Sequence, residues 1–303
     1  MLVGFFDPRA QDEVLAMGGP LLTALVTGPS VTAELVEGGC TLTGKWPYVS
    51  GIDHCNWVML SAHDPIARRD GKWRVLTCLL PRTEITIVDD WFVLGLRATG
   101  SKSVTLDGLF VPEHRIICKQ ETAGVGTPGQ AVNPGPLFGG IPTSTLFAMV
   151  ITAPALCVAA SAITAFQERL ETRSNARMRT SQTEWPASQI RLGQATARLR
   201  ASHEAFAAST GAFMALIEGG GEITNERRTV FRMDMVEAMR VCTEIVYELF
   251  LDAGTGATVD GTLMQRLFRD IHMMRSHFVI GPDAAVENVG RVKLGLPPKP
   301  PFI

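Results

Sequence analysis

The chain has 303 residues, of which 46% are hydrophobic and 19% charged, and its formal net charge is −2. Such a chain can bury a sizeable core in one large domain or two smaller ones, and it is too apolar to be disordered. Acids and bases are mixed along most of its length, which excludes the basic stripe that a nucleic-acid backbone requires.

The N-terminus carries no basic segment ahead of an apolar stretch, so no signal peptide is expected. Residues 1–118 read as β structure. Runs at 21–27, 32–36, 40–46, 56–62, 73–80, 84–88 and 102–111 are short, rich in Val, Ile, Leu and Thr, and separated by turn residues. Glu37-Gly38-Gly39 and Arg69-Asp70-Gly71 suit hairpin turns, and strands at this spacing predict a sandwich or a barrel. Six cysteines (Cys40, Cys55, Cys78, Cys118, Cys157 and Cys242) are widely spaced without a Cys-x-x-Cys pair. No metal site is expected, and reduced thiols in a cytoplasm are the reading.

Residues 119–140, rich in Gly, Pro, Thr and Asn, read as a linker. They contain a literal G-x-G-x-x-G from Gly124 to Gly129, but Pro128 lies inside it and more loop follows. A dinucleotide fingerprint needs a strand before and a helix after, so that reading is dismissed.

From 141 to 303 the periodicity is helical, with helices expected at 141–172, 187–218, 223–253 and 262–281 and an extended, proline-limited tail from Leu294. Thr224 or Asn225 can cap the third helix, and Gly254 and Gly256 can end it. Residues 146–166 lie in a stretch without charge and are long enough to span a membrane. Pro154 and several Ser and Thr interrupt them, and neither an aromatic belt nor a basic flank marks an interface. A helix apolar all round also suits a bundle centre or an oligomer interface, and no membrane is the reading. The predicted fold class is α+β: a β domain, then a four-helix bundle.

At this point the chain resembles a known family. A β domain followed by a four-helix bundle is similar to the acyl-CoA dehydrogenase superfamily. Gly95-Leu-Arg-Ala-Thr-Gly-Ser101, Val104 and Phe110-Val-Pro-Glu-His-Arg115 resemble its middle-domain signature, and Gln265-Arg-Leu-Phe-Arg-Asp270 its last-helix signature. Gly44-Lys-Trp-Pro-Tyr-Val-Ser-Gly-Ile-Asp-His-Cys-Asn-Trp57, Arg275-Ser-His-Phe278 and Gly295-Leu-Pro-Pro298 look like the two-component flavin monooxygenase branch. That branch includes hydroxylases of phenols and relatives that oxidise amino sugars. The family begins with a helical domain, whereas this sequence begins at Met1 with Phe5–Val14 resembling that domain's tail. A truncated chain, a second polypeptide supplying the missing domain, and lost catalysis all stay open.

The resemblance implies site residues. Ser50 is a candidate hydroxyl donor at the flavin, or a turn serine capping a local N–H. His277, on a late helix, is a candidate base for a phenol, or a histidine bonded within the bundle. His272 on the same helix points at a different angle. Trp46 and Tyr48 stack on the flavin or belong to the core. Asp53 and His54 read as structural. Arg97, Thr99 and Ser101 contact the flavin or its phosphate, or stabilise a hairpin turn. Arg173 and Arg177 suit a flavin phosphate, including one bound by a neighbouring subunit, or form a solvated helix end.

The activity implied is that of the oxygenase component of a flavin-dependent monooxygenase. It would take reduced FMN or FAD (FMNH2 or FADH2) from an NAD(P)H:flavin reductase and use O2 to hydroxylate a phenolic or related aromatic compound, as a cytoplasmic homotetramer. The alternatives are N-oxidation of an amine or amino sugar, acyl-CoA dehydrogenase-like oxidation, and a non-catalytic oligomeric or partner-binding protein. Dehydrogenation of an acyl thioester needs a carboxylate base, and residues 269–286 contain no Glu.

Overall fold

The computed structural model describes residues 2–18, 20–69, 72–118, 126–138, 143–172 and 181–299. The chain divides into two compact units: Met1–Val93 with Arg97–Ile141, and Leu94–Leu96 with Pro142–Ile303.

The first unit begins with helix α1 (Pro8–Ala16) and continues through strands β1 (Thr23–Val26), β2 (Glu34–Val36), β3 (Gly39–Trp46), β4 (Trp57–Arg69), β5 (Lys72–Pro81), β6 (Thr86–Val88), β7 (Ser103–Pro112) and β8 (Ile116–Cys118). They form two four-stranded sheets, β1-β4-β5-β8 and β2-β3-β7-β6. β1 pairs with β4 in parallel, and the other pairings are antiparallel. Leu42 and Trp46 of β3, Val58 and Leu60 of β4, Cys78 and Leu80 of β5, and Val104 of β7 share one apolar cluster. Full burial of such side chains contributes roughly 1.5–3 kcal/mol each.

β4 departs from simple alternation. Val58 and Leu60 face the sandwich core, while Trp57 and Met59 meet Phe5, Phe6, Ala10 and Val14 on the opposite face. A strand covered on both sides reads as a continuous apolar run. Asp7 caps α1 by accepting the Arg9 N–H at 2.9 Å, and Pro8 opens the helix. Glu13 fixes its far end by accepting from His114 at 2.9 Å and from Arg115 at 2.6 Å.

The β2–β3 turn is the expected hairpin. Val36 pairs with Gly39, and Gly38 takes a φ of 78°. A Cβ on Gly39 would lie 2.0 Å from the Val111 carbonyl oxygen, so only glycine fits there. Asp70 and Gly71 lie outside the described residues. So do residues 119–125, 139 and 140 of the expected linker, while residues 126–138 pack on this unit. The Phe138 ring meets Phe5 edge-on at 5.7 Å, and Asn133 Nδ2 donates to Gln11 Oε1 at 2.8 Å.

The second unit contains α2 (Thr143–Thr172), α3 (Pro186–Glu218), α4 (Asn225–Asp252), α5 (Leu263–Arg275) and α6 (Pro282–Lys293). α4 touches each of the other four. It starts at the predicted cap, where Thr224 Oγ1 accepts the Arg227 N–H at 3.2 Å, and it ends just before Gly254 at φ 71°. By length and composition, Thr145–Thr172 could cross a membrane. Its buried stripe (Ala148, Thr152, Ala155, Ala159, Ala162 and Phe166) recurs at helical spacing, and α2 packs on α4. Two expectations change. The helix expected over 262–281 stops at Arg275, and a further helix, α6, precedes the tail. Of the six cysteines only Cys157 is exposed; Cys40 and Cys78 bring their sulfurs to 4.0 Å inside the sandwich.

Candidate functional site

In the first unit the candidate residues sit on two cross-tied loops. After β3 the chain turns through Tyr48, at a φ of 62°, and Gly51, at a φ of 77°. The left-handed region is uncommon for a large side chain. Three contacts tie this loop to the segment after the 3-10 turn Arg97–Thr99. The Val49 N–H donates to Lys102 O at 3.0 Å, the Gly51 N–H donates to Thr99 O at 2.8 Å, and Lys102 Nζ lies 3.1 Å from Asp53. Hydrogen bonds to Asp53 and Asp89 hold the Lys102 pKa above its ordinary value.

These ties bring three predicted residues together. Ser50 Oγ lies 2.8 Å from Ser101 Oγ, which lies 2.7 Å from Thr99 Oγ1. Ser101, in the middle, is buried, Thr99 is half-buried and Ser50 is exposed, so the hydroxyl chain reaches the surface at Ser50. With Ser101 donating to Ser50, the Ser50 O–H is a donor at that surface; with the polarity reversed, its oxygen is an acceptor. Tyr48 stands beside it, 69% exposed, and meets Trp91 edge-on at 6.1 Å. Phe92, which sequence reasoning passed over, is 85% exposed. The available signal was an aromatic pair between Asp89-Asp90 and Gly95, outside any expected strand.

Two candidates part from this group. Trp46 is a correction: it is fully buried in the sandwich and donates its indole N–H to Ser61 O at 2.8 Å, so its faces meet core side chains. Arg97 is exposed, and its Nε donates to Val93 O at 2.8 Å. Arg173 and Arg177 lie outside the described residues.

In the second unit the two signature motifs meet. The Leu96 N–H donates to Asp270 Oδ1 at 2.6 Å, and Arg269 Nη1 donates to Leu94 O at 2.7 Å. Leu96 takes a φ of 53°, and a Cβ on Gly95 would lie 2.4 Å from the Arg269 carbonyl oxygen. Gly95, Arg269 and Asp270 therefore act as one clamp, and the Asp270 carboxylate is committed to a backbone N–H.

His277 is not on a helix. Ser276 closes α5, and His277, at φ −68° and ψ 132°, caps the 3-10 turn Phe278–Ile280. Its Nδ1 accepts the Val279 N–H at 3.3 Å, and its ring stacks on Phe278 at 4.7 Å. Packing around the inner side of the ring holds its pKa below the ordinary imidazole value, while the residue as a whole reaches solvent. The neutral ring with Nδ1 accepting carries its proton on Nε2, an assignment made from the hydrogen bond. With this assignment Nε2 is the donor nitrogen. His272 is occupied elsewhere, with Nδ1 2.7 Å from Phe268 O.

The chain is similar to several known proteins. Residues 149–282 match the family described as acyl-CoA dehydrogenase, C-terminal domain. The chain is 29% identical, over 97% of its own length and 77% of the relative's, to the flavin-dependent monooxygenase oxygenase subunit HsaA of Rhodococcus jostii. It is 26% identical to the p-hydroxyphenylacetate 3-hydroxylase oxygenase component of Acinetobacter baumannii, over 99% and 71% of the two chains. The structure of XiaF from Streptomyces sp. in complex with FADH2 and glycerol superposes with a TM-score of 0.87 at 28% identity, covering 100% of this chain and 76% of that one. The helical family match and the near full-length likeness agree: the chain is similar to the acyl-CoA dehydrogenase C-terminal domain over residues 149–282 and, over nearly all of its length, to oxygenase subunits of flavin-dependent monooxygenases.

Proposed function

We propose that the chain is the oxygenase component of a two-component monooxygenase that hydroxylates a phenolic or related aromatic compound. It would use O2 and reduced FMN or FAD, delivered by a separate NAD(P)H:flavin reductase. The observation that carries this reading is the Ser50–Ser101–Thr99 hydroxyl chain ending beside the exposed ring of Tyr48. An isoalloxazine is flat and aromatic with nitrogen and oxygen atoms along its edge, and a surface of exposed rings and hydroxyls fits such a group.

Bound reduced flavin supplies two electrons to O2, so that one oxygen atom enters an aromatic C–H bond and the other leaves as water. In this reading Ser50 hydrogen-bonds the flavin edge. Tyr48 covers the ring, and Thr99 and Ser101 support the loop that presents Ser50. His277 donates its Nε2–H to the substrate oxygen and so favours the ionised phenol, which is the more reactive form. The first unit would be the flavin-facing middle domain, and α2 to α5 the four-helix bundle of a cytoplasmic homotetramer.

Dehydrogenation of an acyl thioester is disfavoured. Asp270 is bound to the Leu96 N–H, and residues 269–286 offer no glutamate as base. The test is anaerobic titration of the purified chain with FMNH2 and with FADH2, followed by 18O2 and a panel of phenols. Saturable binding and one 18O atom in the product are expected. Absence of binding by either flavin would overturn the reading for this chain.

A further inference from the structure

We infer that Arg232 is a positioning residue for His277, acting through the peptide groups of Val279. This rests on the proposed role of His277. Arg232 lies on α4, is 4% exposed, and donates through Nε and Nη2 to the Val279 carbonyl at 3.3 and 3.2 Å. The Val279 N–H in turn donates to His277 Nδ1. Val279 is itself 4% exposed, and both its backbone polar groups are taken up by side chains, one on each side.

Burying a guanidinium is expensive, and a carbonyl at a turn is ordinarily satisfied by water or backbone. Here two N–H groups converge on one oxygen, which fixes the plane of the turn. Fixing that plane aims the neighbouring N–H at Nδ1. That bond in turn sets the imidazole's orientation and keeps its proton on Nε2. Positioning groups of this kind set the tautomer of functional histidines elsewhere. The packing of His277 on Phe278 restrains the ring but does not choose between its two nitrogens.

The experiment is 15N NMR of the full chain labelled at its six histidines, at about pH 8 where an imidazole of ordinary pKa is neutral. His277 is identified by the signal lost in H277Q. In the wild type the Nε2–H tautomer is expected to predominate, and a predominant Nδ1–H form would overturn the inference without any variant. R232M, which removes all donors, is expected to give a mixture of tautomers. R232Q, which keeps an N–H donor, is expected to stay nearer the wild type. An R232M protein with native far-UV circular dichroism and an unchanged tautomer would overturn it.

Turnover gives a second readout. R232M is expected to slow hydroxylation roughly ten- to a hundredfold. R232M/H277Q is expected to be no slower than H277Q alone, because one residue acts through the other; additive losses would overturn the inference. The NMR measurement needs no turnover. A chain that shows the expected tautomers but hydroxylates nothing would refute the proposed function and leave this inference standing.

Discussion

The carboxylate of Asp270 accepts the backbone N–H of Leu96 at 2.6 Å across 174 residues of sequence. Leu96 holds a positive φ there, and Gly95 beside it has no room for a Cβ against Arg269. D270A leaves the N–H without its charged acceptor and is expected to cost about 1.5–3 kcal/mol. D270N keeps an acceptor and is expected to cost less. G95A drives a methyl into a carbonyl oxygen and is expected to cost about 1–3 kcal/mol. Equilibrium urea unfolding checks all three, and a G95A midpoint equal to the wild type's would refute the clamp.

The hydroxyl chain predicts a graded pair of defects. S50A removes the surface end, while S101A removes the middle and with it both links. Each is expected to raise the peroxide released per O2 consumed, with S101A at least as severe as S50A, and to slow product formation roughly ten- to a hundredfold. Oxygen uptake, peroxide and product are measured together with added reduced flavin. Tight coupling retained in S101A would remove the chain from the proposed mechanism.

Trp46 yields the opposite pattern. W46F loses the bond to Ser61 O and part of the core filling, and it is expected to cost about 2–4 kcal/mol. The Kd for reduced flavin should stay at the wild-type value when measured on folded protein. A weakened Kd with unchanged stability would return Trp46 to the flavin surface.

Glu13 ties α1 to the 3-10 turn Glu113–Arg115 after β7 in a pH-dependent way. Burial pushes its carboxyl up, but hydrogen bonds from Arg115 and His114, with their charges, outweigh this and hold it below its ordinary value. Arg9 also lies within 3.5 Å. A carboxylate whose pKa is depressed by folding contributes stability above its unfolded pKa, near 4.3 for Glu, and loses it as pH falls through the folded value. The urea midpoint of the wild type should therefore fall more steeply from about pH 5 to pH 3 than that of E13Q. Parallel curves would mean that the pair adds no acid sensitivity.

Much of the β unit is legible in the sequence because alternation is a local signal. Cys40, Leu42 and Trp46 share parity along one strand, and all three are buried. That parity points Trp46 inward, but it says nothing of Tyr48, where the backbone leaves the strand with a positive φ. Helix α6 was also readable, since Pro282 and Asp283 form a start signal directly after Gly281. The end of α5 was not, because Ser276 stops it with neither glycine nor proline at that position. Arg232 left a trace as a charged residue in line with the buried Met235, Met239, Cys242 and Val246. The partnership of Asp270 with Leu96 leaves none, since no periodicity reaches across 174 residues.

The distribution of sulfur bears on durability. Any chain that handles reduced flavin and oxygen is exposed to stray oxidant whenever turnover miscarries, and thiols are among the first groups to suffer. Five of the six cysteines here are enclosed. Burial raises the Cys242 thiol to about 12, which keeps it in the unreactive protonated form. Thiol damage should then begin at Cys157, the one exposed cysteine, which records the history of the molecule while the buried thiols stay chemically intact.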